Sequence, residues 1–294
     1  MKRFQEAIAK KQFLTTCELG PPKGTSITSI IDIAQSLKDH VHAINITDGQ
    51  GGNMRMSPVI ASYLIQTQAG VETICQLVCR DRNSIALQSD ILGALSLGID
   101  NYLALTGDKA GDGDNPQAQE VFELNTNSLL KVFNQFSAGT DLAGNRLDNV
   151  ITRPCLGSAA HPGMPDLSSQ ADKMKRRIAQ QGVSFFQTQI VYDHDQLSRF
   201  LESLDKAQIN VPVLIGVTPL KSLRMAQFMN EKLYGVEVPE QLIRRLESSE
   251  NQSLEGIKIA AELIAQIKKL GGTGIHLMAV GQEKQLPEII RQII

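Results

Sequence analysis

Eight short runs of β-type residues alternate with longer segments of helical period along this chain. The runs are Phe13–Glu18, Ala43–Asp48, Thr73–Cys79, Asn101–Asp108, Asn149–Leu156, Ser184–Tyr192, Val211–Val217 and Gly274–Val280, and they close on Gly, Asp, Pro or Asn. The first six begin about every 30 residues, with a longer gap before the fifth, which is the span of one strand, helix and connection in a βαβ unit. Between them, apolar residues recur at helical spacing, as in Ile30, Ile31, Ala34 and Leu37, or Ile85, Leu87, Ile91, Leu92 and Leu95. Ser57-Pro58 opens one such helix, a capping hydroxyl followed by a proline whose missing N–H costs nothing there. Length alone, at about 150 residues per domain, suggests two domains, but barrels run to about 250 residues as one unit. No linker rich in Pro, Gly or Ser divides the chain, so the expectation is an α/β fold, a (β/α)8 TIM barrel in a single domain over residues 1–294.

Charge narrows the partners. With 29 Lys+Arg against 31 Asp+Glu the formal charge is −2, without the basic excess a nucleic-acid binder needs. No apolar window approaches the roughly 20 residues that span a bilayer. The opening Met1-Lys2-Arg3-Phe4-Gln5-Glu6 meets an acidic, amphipathic stretch where a signal peptide needs an apolar run, so a cytoplasmic protein is expected. The four cysteines, Cys17, Cys75, Cys79 and Cys155, are too scattered for a disulfide framework and read as buried thiols. Cys75 and Cys79, about 13 Å apart on a strand, cannot share a metal.

A barrel keeps its chemistry at the carboxyl ends of its strands. Those ends read Glu18, Asp48, Arg80-Asp81, Asp108, His161, Gln189 to Asp193, Thr218 and Met278. Only Lys109 offers an amine, which disfavours Schiff-base chemistry, and only His161 of five histidines falls on an active-site loop, which disfavours a catalytic metal. Leu105 to Asp114 lacks the spacing of a dinucleotide fingerprint, and Pro116 and Gln117 spoil it as a calcium loop. What remains is an apolar strand running into Gly107-Asp108, where a flat ligand can approach the backbone and a carboxylate faces it. Asp112 and Asp114 read as a solvated turn. Glu18 precedes the sharp turn Gly20-Pro21-Pro22, and two readings are open for it: a partly desolvated general acid, or an ion pair with Arg80 or Arg55.

Seven stretches together give the sequence a family likeness: Glu18-Leu-Gly-Pro-Pro22, Asn45-Ile-Thr-Asp48, Arg55-Met-Ser57, Cys79-Arg-Asp-Arg-Asn83, Leu105-Thr-Gly-Asp108, Phe186-Gln-Thr-Gln189 and Gly274-Ile-His-Leu-Met278. In this order, from Phe13 to the C-terminus, the chain resembles the methylenetetrahydrofolate reductase family, flavin enzymes built on a (β/α)8 barrel. The resemblance implies that Glu18 is the general acid that helps open the folate ring, and that Asp108 lies beside both flavin and pterin. It places Gln189 on the folate. It puts Thr47, Gln76, Leu105, Thr106, Gly107, Asp108, His161 and Asp172 against the flavin, with Arg177 at its phosphates.

Two departures bear on the electron donor. Leu223 stands where the family has an aromatic that stacks on nicotinamide or folate, and Met278-Ala-Val-Gly281 stands where relatives using nicotinamide read Tyr-Thr-Leu-Asn. The second form resembles the branch of anaerobic one-carbon metabolism whose reductases work with a partner subunit. The resemblance therefore implies FAD, with FMN as the alternative, and a tetrahydrofolate substrate. Electrons would come from NADH or NADPH, or from an iron-sulfur or zinc-containing partner. It also implies an oligomer and a place in methionine biosynthesis. A rival of another class is a catalytically silent flavin- or folate-binding subunit.

Overall fold

The computed structural model describes residues 3–149 and 151–293; Met1, Lys2, Val150 and Ile294 lie outside the described residues, and with them the extreme ends of the expected 1–294 domain and one residue of the expected strand Asn149–Leu156. Eight parallel strands close into one barrel in chain order: β1 (Leu14–Leu19), β2 (Ala43–Ile46), β3 (Thr73–Val78), β4 (Asn101–Leu105), β5 (Cys155–Ala160), β6 (Phe185–Ile190), β7 (Val213–Val217) and β8 (Gly274–Leu277). The seam joins β1 to β8, with Leu14 opposite Gly274 and Thr16 opposite His276. A helix α1 (Arg3–Ala9) precedes β1, and the crossovers are α2 (Thr28–Leu37), α3 (Pro58–Gln68), α4 (Ser84–Ser96), α5 (Thr126–Ser137), α6 (Leu167–Gln181) and α7 (His194–Lys206). Between β7 and β8 run α8 (Leu223–Lys232), α9 (Glu240–Ser248) and α10 (Gln252–Lys269), and α11 (Leu286–Ile293) ends the chain.

The larger core lies between sheet and helices, where Ile31, Ala34 and Leu37 of α2 and Leu87, Ile91 and Ala94 of α4 turn inward. Ile85 and Leu92, expected on that stripe, are instead exposed by 72% and 38%, because the helical phase set by Leu87 and Ile91 carries them outward. A second core fills the lower barrel: Leu14, Ala43, Ile74, Leu103, Cys155, Phe185 and Leu214 meet there. Phe4 of α1 plugs it from below, its ring edge-on to Phe185 at 5.1 Å and 86°. Glu72 ties the plug in place, accepting the Phe4 N–H at 3.1 Å and the Asn101 amide at 2.8 Å.

The fifth strand lies later than expected. Ile151-Thr-Arg-Pro154 is β-branched in part, but Pro154 has no N–H to give a ladder, and pairing begins only at Cys155 in a run of small residues. Ser57 does stand at the start of α3, yet its side chain makes no capping hydrogen bond; Pro58 at the first position is what fits the helix opening. All four cysteines are buried and free, and burial pushes the Cys75 and Cys155 thiols up to about 12. No described helix is long and apolar enough to cross a membrane.

Candidate active site

Glu18 lies near the end of β1 with its side chain only 11% exposed. Its Oε1 accepts from Gln50 Nε2 at 3.0 Å and its Oε2 from Gln76 Nε2 at 3.3 Å, while His276 Nε2 lies 3.6 Å from Oε2. Neither arginine from the ion-pair reading reaches it. Arg80 is held by Asp81 at 2.7 Å, and Arg55 is exposed with no carboxylate partner among the described residues. The neighbours of Glu18 are thus two amides and an imidazole. Among the described residues no lysine or arginine is paired with it.

Above it opens a cavity of about 440 Å³, within the roughly 300–1,000 Å³ usual for small-ligand sites. Glu18, Gln76 and Leu105 line it together with the turn Thr106-Gly107-Asp108. Gly107 has φ of 99°, and a Cβ there would come within 3.0 Å of Val78 Cβ, so only glycine lets the chain leave β4 at this angle. The Thr106 hydroxyl is engaged with Thr126 at 3.0 Å, tying the turn to the start of α5. Asp108 Oδ2 accepts the Gly51 N–H at 2.9 Å. That bond is one of two hydrogen bonds lacing the loop after β2 to the loop after β4. Asp114 accepts from Met54 N–H at 2.9 Å and pairs with Lys23, partners that hold its carboxyl below the usual range; it is a latch where a solvated turn was expected. Where the loops cross, a Cβ on Gly113 would lie 1.9 Å from the Gly52 carbonyl oxygen.

The opposite wall carries His161, whose Nδ1 lies 3.3 Å from Gln189 Oε1, and Lys173 and Arg177, one helical turn apart on α6. Arg177 is buried and reaches Ser158 Oγ at 2.7 Å and Asn127 Oδ1 at 2.9 Å, both neutral. Burial lowers the affinity of Arg177 for its proton. Burial and the adjacent Arg177 and Arg176 do the same for Lys173. His161 is likewise lowered, by burial and then by Lys173 and Arg177, against the opposing hydrogen bond to Gln189. Among the described residues no carboxylate pairs with Lys173 or Arg177. This corner has a surplus of positive charge that a bound anion would relieve.

Three expected residues stand apart. Thr47 is buried beside a neighbouring cavity of about 780 Å³, on the far side of Glu18 and Gln50. Asp172 is exposed on α6, because the phase that brings Lys173 and Arg177 to the cavity turns it outward. Leu223 packs half-buried into the apolar cluster with Leu220, Ala226 and Ile259 and does not line the cavity. Lys173, Gln50, Gln187 and His276 also face it. Gln187 and His276 stand in two of the seven stretches without a role of their own, and the i, i+4 spacing with Arg177 is the signal that points to Lys173.

Comparison with known proteins bears on this arrangement. Methylenetetrahydrofolate reductase 1 of Schizosaccharomyces pombe is 23% identical over 296 residues, covering 97% of this chain and 46% of the relative. The 5,10-methylenetetrahydrofolate reductase of Pectobacterium carotovorum is 22% identical over 277 residues, covering 90% of this chain and 85% of the relative. The chain spans about half the length of several curated relatives it matches. A solved structure of an uncharacterized protein from Clostridium thermocellum, described as binding two copies of 5-methyl-5,6,7,8-tetrahydrofolic acid, shares the fold, with a TM-score of 0.64 at 17% identity over 99% of each chain. The family model described as methylenetetrahydrofolate reductase matches residues 3–294, which takes in every strand of the barrel and every residue of the cavity wall, and the chain belongs to that family.

Proposed function

We propose that this chain reduces 5,10-methylenetetrahydrofolate to 5-methyltetrahydrofolate at a flavin held in the barrel mouth. The observation that carries this reading is the cavity itself: one end holds a carboxyl with no lysine or arginine partner, Glu18, and the other an unneutralised pair of cations, Lys173 and Arg177. An acid at one end and an anion cradle at the other suit a phosphate-bearing cofactor with its ring near Glu18. FAD is the form we propose, with FMN as the alternative, since both end in phosphate.

When bound, the flavin supplies a hydride to the methylene carbon of the folate. The protein's residues do the rest. Lys173 and Arg177 would hold the phosphate charge, and the Leu105-to-Gly107 backbone and Gln76 would border the ring. Asp108 and Gln189 orient the pterin through its hydrogen-bonding edge. Glu18 gives its proton to the nitrogen that leaves as the five-membered ring opens, and this proton must arrive before hydride does. Asp172 lies on the exposed face of α6, beside the cavity wall that Lys173 and Arg177 form.

The test is optical. Purified protein, or protein incubated with FAD, should show the absorption bands of oxidised flavin, and after anaerobic photoreduction should regain them on mixing with methylenetetrahydrofolate. A preparation that takes up neither FAD nor FMN overturns the reading. A catalytically silent subunit would bind flavin and fail the second step. The packing of Leu223 into the core favours a second reading for the donor, in which a partner protein supplies the electrons, because that position offers nicotinamide no stacking surface. NADH and NADPH should then bleach the flavin slowly in the isolated protein; rapid bleaching by either removes the need for a partner.

A further inference from the structure

Beneath Glu18 the barrel interior is polar where an apolar filling is the ordinary solution. Thr16, Asn45, Gln187 and His276 form this layer, and none is more than 4% exposed. Asn45 and Gln187 exchange amide hydrogen bonds: Asn45 Nδ2 donates to Gln187 Oε1 at 2.6 Å, and Gln187 Nε2 donates to Asn45 Oδ1 at 3.0 Å. In this arrangement the Gln187 Nε2 lies 3.3 Å from Thr16 Oγ1 and 3.5 Å from His276 Nδ1. The Thr16 hydroxyl lies 3.0 Å from His276 Nδ1, closer than the 3.4 Å to the Ile275 carbonyl that is its other acceptor. An amide nitrogen and a hydroxyl thus both lie against Nδ1, and both can donate to it. With Nδ1 accepting, the proton of a neutral imidazole is on Nε2, which faces Glu18 Oε2 at 3.6 Å.

We propose that His276 is a positioning residue that decides which oxygen of Glu18 carries the transferable proton. Its Nε2–H and the Gln76 amide both point at Oε2, so a proton on that oxygen would oppose two donors. The acid form therefore carries its proton on Oε1, whose one neighbour is the amide of exposed Gln50, able to turn its own oxygen to accept. In the reaction the Oε1–H bond breaks as the leaving nitrogen gains the proton. The negative charge left on Glu18 falls on the oxygen that Gln76 already holds and His276 faces. The 3.6 Å gap shortens as that charge develops, in keeping with catalytic contacts that tighten only when the ligand is in place. This assignment rests on Glu18 acting as the acid proposed above.

Nitrogen-15 labelling of the histidines tests the tautomer directly, with the His276 signal assigned by its loss in His276→Gln. The holoprotein should show the His276 ring proton on Nε2. A proton on Nδ1, or on both nitrogens, overturns the proposal. Thr16→Val keeps the volume and removes the hydroxyl that holds Nδ1. It should slow reoxidation of the reduced flavin by methylenetetrahydrofolate by about tenfold or more, and leave flavin affinity unchanged, while Thr16→Ser restores the rate. Unchanged kinetics in Thr16→Val, or equal slowing in Thr16→Ser, also overturns it. If Glu18→Gln left the folate step intact, the functional reading would fall, whereas the tautomer measurement would stand on its own result.

Discussion

The lower and upper halves of the barrel interior are built from opposite materials. Below, Leu14, Ala43, Ile74, Leu103, Phe185 and Leu214 make a dry plug closed by Phe4. Above, from the same strands two residues further on, come Thr16, Asn45, Gln187 and His276, and then Glu18, Gln76 and Gln189. One strand thus passes from structural filling to chemistry in about four residues, and its two ends answer to different demands. The plug holds the staves together by burial. The polar layers forgo that gain and replace it with hydrogen bonds whose geometry has to be right.

Substitutions at the two ends should separate cleanly. At the top, Glu18→Gln should slow reduction of methylenetetrahydrofolate by about 10²–10⁴-fold in single-turnover mixing, with flavin still bound and the denaturation midpoint little changed. At the bottom, Phe4→Ala should do the reverse and cost about 3–5 kcal/mol in chemical denaturation, with the folate step in the folded fraction unaltered. If Phe4→Ala slowed the chemistry as strongly as it lowered stability, the two halves would not be independent. Arg177→Gln removes charge-assisted contacts worth about 1.5–3 kcal/mol, so flavin should bind roughly tenfold to a hundredfold more weakly by fluorescence titration, with little effect on the rate once saturated.

The smallest effect concerns pH. Burial raises the Glu72 carboxyl above its ordinary 4.5, against the hydrogen bonds from Asn101 and Phe4 that lower it. A raised acid in the folded state gives stability that is complete below about pH 4.5 and is lost as pH rises through the higher folded value. Between pH 5 and pH 8, the denaturation midpoint should therefore fall less in Glu72→Gln than in the parent chain. An identical slope in both would show that the tie holding the plug carries no titratable strain.

What could be read from the residues divides along the same axis. The strand rhythm was legible because β-branched runs and turn residues are local signals, and Glu18, Asp108 and Gln189 were legible because they sit where strands end. The fifth strand was not, since Cys-Leu-Gly-Ser-Ala-Ala has little β character and pairs only because its neighbours supply a slot. His276 was hidden for another reason: its partners Thr16 and Glu18 lie at the opposite end of the chain and meet it only when the barrel closes. Asp172 and Lys173 differ by one position, and a helix turns through about 100° between them, a distinction that residue type cannot make. Asp114 resembled a surface turn until the two rim loops were seen to cross at it.

That crossing has a consequence for how sequences of this kind can drift. At Gly52 and Gly113 two backbones touch with no side chain on either, so neither loop can accept a larger residue by asking the other to shrink. A substitution on one side has no compensating substitution on the other. The loops after β2 and β4 can change path only as a matched pair, and the hydrogen bond from Gly51 N–H to Asp108 moves with them.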